Sequence, residues 1–185
     1  MGKNVSKPTS AGKVRRAQDE AVNLLEVLAC TNTALRRAAR RLGNLYDEAL
    51  APLGLKATQL GLLADIERLT LAAERQQAPA LQDLAAKLAI QISALTHALR
   101  PLVRDGLVAL QTDPQDRRTK RAVLAPAGAA LLHEAVAYWD RANQRVEDVL
   151  GSDAAATLRA LADQVASDEF LAAFNDGQTG TTKGS

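Results

Sequence analysis

Between Pro79 and Gly128 the spacing of apolar residues changes from helical to strand-like, and few folds accommodate that order. Leu81, Leu84 and Leu88, then Leu95, Leu99 and Leu102, recur at three- and four-residue steps. The first set predicts a helix from about Ala80 to Leu88. The second predicts one from about Ile92 to Arg104, with Val103 also turned inward. Pro101 removes one backbone hydrogen bond and is expected to kink its last turn, and Gly106 suits the left-handed stop that follows. The stretches LVALQ and KRAVL then flank the turn-forming Asp113-Pro114-Gln115-Asp116, which reads as a hairpin. Two short helices, a break between them and a basic-tipped hairpin make a winged helix-turn-helix.

The remaining sequence is arranged around that unit. Its 185 residues suit one domain, or one domain with a dimerisation arm. The hydrophobic fraction is 47%, with only two Phe, two Tyr and one Trp, so the core must be Leu, Ala and Val, which favours helices. The expected fold is mainly α with a small β-hairpin wing, a winged helix-turn-helix joined to a helical dimerisation region. Residues 1–18 read as a flexible arm and 175–185 as a flexible tail. Residues 19–55 hold a long first helix ended by Pro52 and Gly54, and 56–125 hold the DNA-binding region, opening on a second helix with Leu60, Leu63, Ile66 and Leu69. Residues 126–174 hold a fifth helix starting at Pro126 and, after Gly151, a sixth capped by Ser152 or Asp153 and running through Leu158, Leu161, Val165 and Phe170. No apolar run is long enough to span a membrane, and no secretory signal is visible. The expected location is the cytoplasm.

A net charge of +2 conceals a polarity. The wing carries Arg117, Arg118, Lys120 and Arg121, whereas the stretch from Asp140 to Asp176 is acidic. A basic face on a nearly neutral chain points to nucleic acid. In a helix-turn-helix the second helix shows its N-terminal residues to base edges in the major groove. With Leu95, Leu99 and Leu102 turned inward, the outward set is Gln91, Ser93, Ala94, Thr96 and His97, with Arg100 further along and suited to a phosphate. Gln pairs with adenine, and Ala touches a thymine methyl. An arginine at a hairpin tip, here Arg117 or Arg118, can enter the minor groove. Asp116 is spaced to hold the guanidinium of Arg118 or Arg121. The alternative is a surface hairpin with local salt bridges.

These residues resemble the MarR family of bacterial transcription regulators. The matching motifs are Asp116-Arg117-Arg118-Thr119-Lys120-Arg121, of the form DxRxxR, and Leu124-Ala125-Pro126-Ala127-Gly128, close to LTxxG. The stretch LRRAARRLGNLYDEALAPLGL, followed by Gln59, is similar to the family's first helix and the entry to its second. The resemblance spans roughly Thr31 to Leu150. It implies a homodimer on a pseudo-palindromic operator, with winged units below a region built from the first, fifth and sixth helices. It also implies a cavity for a small phenolic or anionic effector. Arg118 would be the minor-groove finger, with Asp116 and Arg121 supporting the wing and Gln91, Ser93, Ala94 and His97 on the recognition helix. Ile92, Pro101 and Ala125 depart from the family pattern.

The apolar faces of the first and last helices would stay in water unless paired, which places Leu24, Leu28, Leu158, Leu161, Val165 and Phe170 in the expected dimer interface. Arg36, Arg37, Arg40 and Arg41 form a basic stripe on the first helix, suited to the acidic C-terminal helix or, alternatively, to phosphate. A single cysteine, Cys30, allows no internal disulfide. Some relatives sense peroxide through a first-helix cysteine, but no neighbour of Cys30 is basic, and a buried, inert thiol is the plainer reading. Tyr46 and Trp139 are candidates for the effector cavity or, more simply, for the core. His97 and His133 belong to no metal-ligand cluster, and neither a cofactor site nor a catalytic constellation stands out. Two other readings remain, a thiol-based redox regulator acting through Cys30 and a winged helix that binds protein instead of DNA.

Overall fold

The computed structural model describes residues 30–73 and 76–179. The expected N-terminal arm and the interface candidates Leu24 and Leu28 lie outside them. By its contacts the chain divides into two units between Asn44 and Leu45. The described part of the first unit is the opening stretch of α1 (Thr31–Leu50), where Arg36, Arg37, Arg40 and Arg41 are all exposed.

The second unit holds the end of α1, a 3-10 turn over Ala51–Leu53, α2 (Ala57–Ala72), α3 (Leu81–Lys87), α4 (Ile92–Arg104), β1 (Val108–Thr112), β2 (Lys120–Leu124), α5 (Pro126–Leu150), α6 (Ser152–Val165) and α7 (Asp168–Thr179). Asp47, near the end of α1, accepts the Ala57 backbone N–H at 2.7 Å. It thereby occupies a donor that the start of α2 leaves without an intrahelical partner.

Two apolar clusters organise this unit. The first joins α2, α3, α4 and the hairpin through Leu63, Ile66, Leu84, Leu95, Leu99, Leu102, Val108 and Ala122. Its helical members fall at the three- and four-residue steps that the sequence shows. The second joins the end of α1 to α2 and α5 through Leu50, Leu55, Leu60 and Ala135, with Tyr138 and Trp139 packed against it. Val103 differs from its expected place. It is 37% exposed, because it follows Leu102 on the helix and points away from the core.

The turn between α3 and α4 is a Schellman closure. The Ile90 N–H donates to Ala85 O and the Ala89 N–H to Ala86 O, both at 3.0 Å. Ala89 takes the left-handed position with φ 51°, where glycine is usual. Helix α4 continues through Pro101 to Arg104, and Gly106, at φ 70°, makes the left-handed turn into β1.

The strands pair antiparallel, from Val108 opposite Leu124 to Thr112 opposite Lys120. The Ala122 N–H also donates to Pro79 O at 3.0 Å, and Ala80 bridges Arg121, so the residues ahead of α3 extend the hairpin by one more pairing. Gly128, in the first turn of α5, packs directly on Leu107, where an added Cβ would stand 2.1 Å from the carbonyl oxygen.

Two boundaries at the C-terminal end differ from expectation. The single sixth helix is two helices, because Ser167 interrupts it: its hydroxyl donates to Gln164 O at 3.0 Å and accepts the Phe170 N–H at 3.1 Å, capping α7. Helix α7 also runs to Thr179, so residues 175–179 are helical where the sequence reads as a flexible tail. Gly151 precedes α6 without a side-chain cap from Ser152 or Asp153.

Candidate nucleic-acid interface

The wing tip is folded by two aspartates acting in succession. Asp113 is buried, at 4% exposure. Its Oδ1 accepts the backbone N–H groups of Gln115 at 2.7 Å and Asp116 at 2.9 Å. Asp116 repeats the device, accepting the Arg118 N–H and the Thr119 hydroxyl, each at 3.0 Å. Short acidic side chains bend a chain in this way by substituting for a backbone acceptor two or three residues back.

Asp113 also accepts a hydrogen bond from Arg121 Nε, and the Arg121 NH1 donates to Ala78 O at 2.7 Å. One guanidinium thus ties the wing's turn to the segment ahead of α3. The sequence reading offers Asp116 as a guanidinium partner for Arg118 or Arg121. The geometry divides these roles: Asp113 holds Arg121, while Asp116 shapes the tip and lies 3.5 Å from Arg118 Nε. The cross-strand register makes the difference, because Arg121 lies opposite Gln111, near Asp113 and away from the tip. The Asp116 N–H, then Arg121 and the Gln115 N–H, hold the Asp113 carboxyl below the usual carboxylate range. Asp116 is lowered as well, chiefly by the Arg118 N–H and the Thr119 hydroxyl.

This scaffold leaves the basic groups outside. The Arg118 side chain is 96% exposed. Arg117 is exposed beside it, and Lys120 is exposed with its Nζ donating to Thr112 Oγ1 at 2.6 Å. Gln91, at the N-cap position of α4, and Ser93, Ala94, His97 and Arg100 on it are exposed. Thr96 is half-buried, and its hydroxyl is engaged with Ile92 O at 2.8 Å, which leaves its methyl as the group available outward. Ile92 is 45% exposed at the start of the helix, where a thymine methyl is the base feature it could meet. A groove of about 260 Å³ runs between α4 and β1, and Thr96, Arg100, Arg104 and Leu110 line it. Helix α4 and the first strand of the hairpin are therefore adjoining walls, and Arg100 and Arg104 bring basic groups to them. Sequence reasoning read Asp113 only as a turn residue and Arg104 only as a helix end; Arg104 is fixed by a two-pronged pair with Asp105 at 2.8 and 3.2 Å.

A second concavity, of about 410 Å³, lies between α2 and α5. Leu60, Leu132, Val136 and Trp139 form its apolar wall, and Asp65, Arg68, Asp140 and Asn143 its polar edge. Of the two aromatic candidates Trp139 lines this cavity. Tyr46 packs against it with ring centroids 4.2 Å apart, and its hydroxyl donates to Asn143 Oδ1. Burial raises the Tyr46 phenol above its ordinary value.

Cys30 corrects the expectation of a buried thiol. It is exposed and immediately precedes α1, where its carbonyl accepts the Ala34 N–H at 3.2 Å. The Thr33 hydroxyl, 3.4 Å from its Sγ, holds the thiol below its ordinary value. Among the described residues no group of three or more His, Cys, Asp or Glu is placed to hold a metal ion, and no helix is long and apolar enough to cross a membrane.

A sequence profile of the MarR family matches residues 57–120, the whole of the helix-turn-helix and the wing tip. The transcriptional regulator MosR of M. tuberculosis, solved in complex with DNA, is 35% identical over 73% of this chain and 92% of that one, with a TM-score of 0.62. The chain belongs to the MarR family. Wild-type apo MarR from E. coli is 25% identical over 74% of this chain and 96% of that one, with a TM-score of 0.56. The repressor CouR bound to a 23-mer DNA duplex shares the fold, with a TM-score of 0.65 at 24% identity, covering 77% of this chain and 96% of that one. Comparison with curated protein sequences returned no match. Within the MarR-family fold, the residues named for base and phosphate contact occupy α4 and the wing.

Proposed function

We propose that this MarR-family chain is a homodimeric, sequence-selective DNA-binding regulator that represses transcription until a small molecule releases it. One observation carries the reading. The wing is tied to the segment ahead of α3 by Asp113 and Arg121, while the Arg118 side chain projects from its tip almost fully exposed. A purely structural hairpin would have no need to hold its arginines so far into solvent at such a fixed tip. Gln91, Ser93, Ala94 and His97 read bases, with Thr96 contributing its methyl. Arg100, Arg117 and Lys120 neutralise phosphate, and Arg118 enters the minor groove. MosR and CouR, both solved with DNA, support this assignment.

The homodimer rests on the outer helices. Leu158, Leu161, Val165, Phe170, Leu171 and Phe174 are all exposed on α6 and α7, an apolar face too extensive for a lone chain in water. Two-fold pairing covers it and sets two recognition helices about one DNA turn apart, roughly 34 Å, which matches a pseudo-palindromic operator. The effector seat is the cavity between α2 and α5, and occupancy acts by favouring a dimer geometry in which the recognition helices are misplaced. Such a regulator works in the cytoplasm, on the nucleoid.

Selection of genomic fragments by the purified protein, followed by footprinting, tests the reading. Two protected half-sites one turn apart are expected, with sedimentation as a dimer at micromolar concentration. A monomer, or no enriched fragment at low salt, would leave the winged helix as a protein-binding module.

A second reading has an observation of its own. Exposure and the Thr33 hydrogen bond make the Cys30 thiol more available than its sequence neighbours suggest. If peroxide releases DNA through this thiol, Cys30→Ser will retain DNA under peroxide. Release by the variant would remove the redox role.

A further inference from the structure

We propose that the cavity between α2 and α5 selects a cation, a protonated amine carried on a flat apolar body. The inference rests on the effector seat proposed above and names the chemistry that the seat accepts. It departs from the phenolic or anionic effectors that the family resemblance suggests, and the reason lies in three ionisable side chains.

Asp65, Arg68 and Asp140 line the cavity. Arg68 NH1 donates to Asp65 Oδ1 at 2.8 Å, so these two charges answer each other. Asp65 is the more enclosed, with its side chain 15% exposed against 65% for Arg68. Arg68 keeps other N–H donors, but its charge is already offset by Asp65, so an anionic ligand gains little net attraction from this pair. It would also face Asp140, whose carboxylate makes no hydrogen bond or ion pair with another described residue. Asn143, whose carbonyl oxygen accepts the Tyr46 hydroxyl, adds no charge to this balance. What remains is one uncompensated negative charge in a cavity that an indole also lines, and aromatic rings attract cations. Leu60 and Val136 supply apolar wall for the rest of the molecule.

Trp139 is the chain's sole tryptophan, so its fluorescence reports the cavity directly. The full-length protein is titrated with 4-phenylbutylamine, 4-phenylbutan-1-ol and 4-phenylbutanoate, three probes that share a body and differ in charge. The amine is expected to bind about tenfold tighter than the carboxylate, a ratio suited to one partly solvated charge. In Asp140→Asn, an exposed site where the fold should hold, the advantage should vanish while the alcohol binds as before. Equal or tighter binding of the carboxylate, or an unchanged amine preference in Asp140→Asn, would overturn the cation inference and leave the effector seat standing. If none of the three changes the Trp139 signal at millimolar concentration, the cavity is not the effector seat, and the inference falls with it.

Discussion

Replacing Gly128 by alanine should destabilise the protein, although alanine is the better helix former. In the interior of a helix Gly→Ala is worth about 0.5–1 kcal/mol in alanine's favour. Here the new Cβ would sit 2.1 Å from Leu107 O and 3.0 Å from both Leu107 C and Leu124 Cδ1. Carbon approaches a carbonyl oxygen no closer than about 3.3 Å without strain, so the carbonyl must retreat by about 1.2 Å. That carbonyl accepts the Ala125 N–H at 3.0 Å, the bond that joins the start of the hairpin to its end. Losing it costs about 1–3 kcal/mol, and overfilling the contact adds about 1–3 kcal/mol. The net expectation is about 3 kcal/mol of destabilisation once the helical gain is subtracted. Urea unfolding at fixed protein concentration reads it as a drop of about 1–2 M in midpoint. Gly61→Ala, also helical but with nothing within 4 Å of the new Cβ, serves as the control and should be neutral or slightly stabilising. A Gly128→Ala protein as stable as the parent would refute the close packing of α5 on Leu107.

Three further outcomes follow from the same structure. Ala89 holds a left-handed conformation at the turn of the helix-turn-helix, so Ala89→Gly should raise stability by about 0.5–1 kcal/mol, the relief of strain less the entropy gained by the unfolded chain; a lower thermal midpoint would contradict it. The Asp113 carboxyl is lowered in the folded protein, so its contribution to stability is complete above the unfolded carboxylate value, about pH 3.9, and is lost as pH falls through the lower folded value. Asp113→Asn should therefore flatten the acid limb of a urea-midpoint profile between pH 2 and 6, and an unaltered limb would remove Asp113 from the clamp. Leu161→Glu, on the exposed apolar face of α6, should shift the sedimentation equilibrium towards monomer; a dimer as tight as the parent's would place the interface elsewhere.

Legibility in the sequence followed the range of the interactions. Leu81 to Leu102 announced two helices because their period alone dictates which face is buried, and DPQD between alternating strands announced the hairpin. Pro126 and Gly106 marked ends through local backbone preference. Asp113 was legible as a turn residue but not as the partner of Arg121, because two aspartates flank the turn and spacing cannot choose between them; the cross-strand register assigns Arg121 to Asp113, and the anchor at Ala78 O lies 43 residues from Arg121. The left-handed conformation at Ala89 was hidden, although the break itself was legible, because an alanine occupies a glycine's position. The break between α6 and α7 had a signal that was passed over, Ser167 followed by Asp168 and Glu169, a capping residue before an acidic first turn. The cavity's charge balance could not be read at all, because Asp65 and Asp140 lie on helices far apart in the chain.

In this reading the exposed wing tip contacts DNA. The most direct measurement is the anisotropy-derived affinity of wild type and Arg118→Ala for one footprinted duplex over a salt series. Wild-type affinity should fall steeply with salt, because each neutralised phosphate contributes a log–log slope of about −0.9. Arg118→Ala should bind about tenfold or more weakly, with the slope shallower by about one. Equal affinities and equal slopes would mean that the wing tip does not touch DNA, and the account of this surface would be wrong.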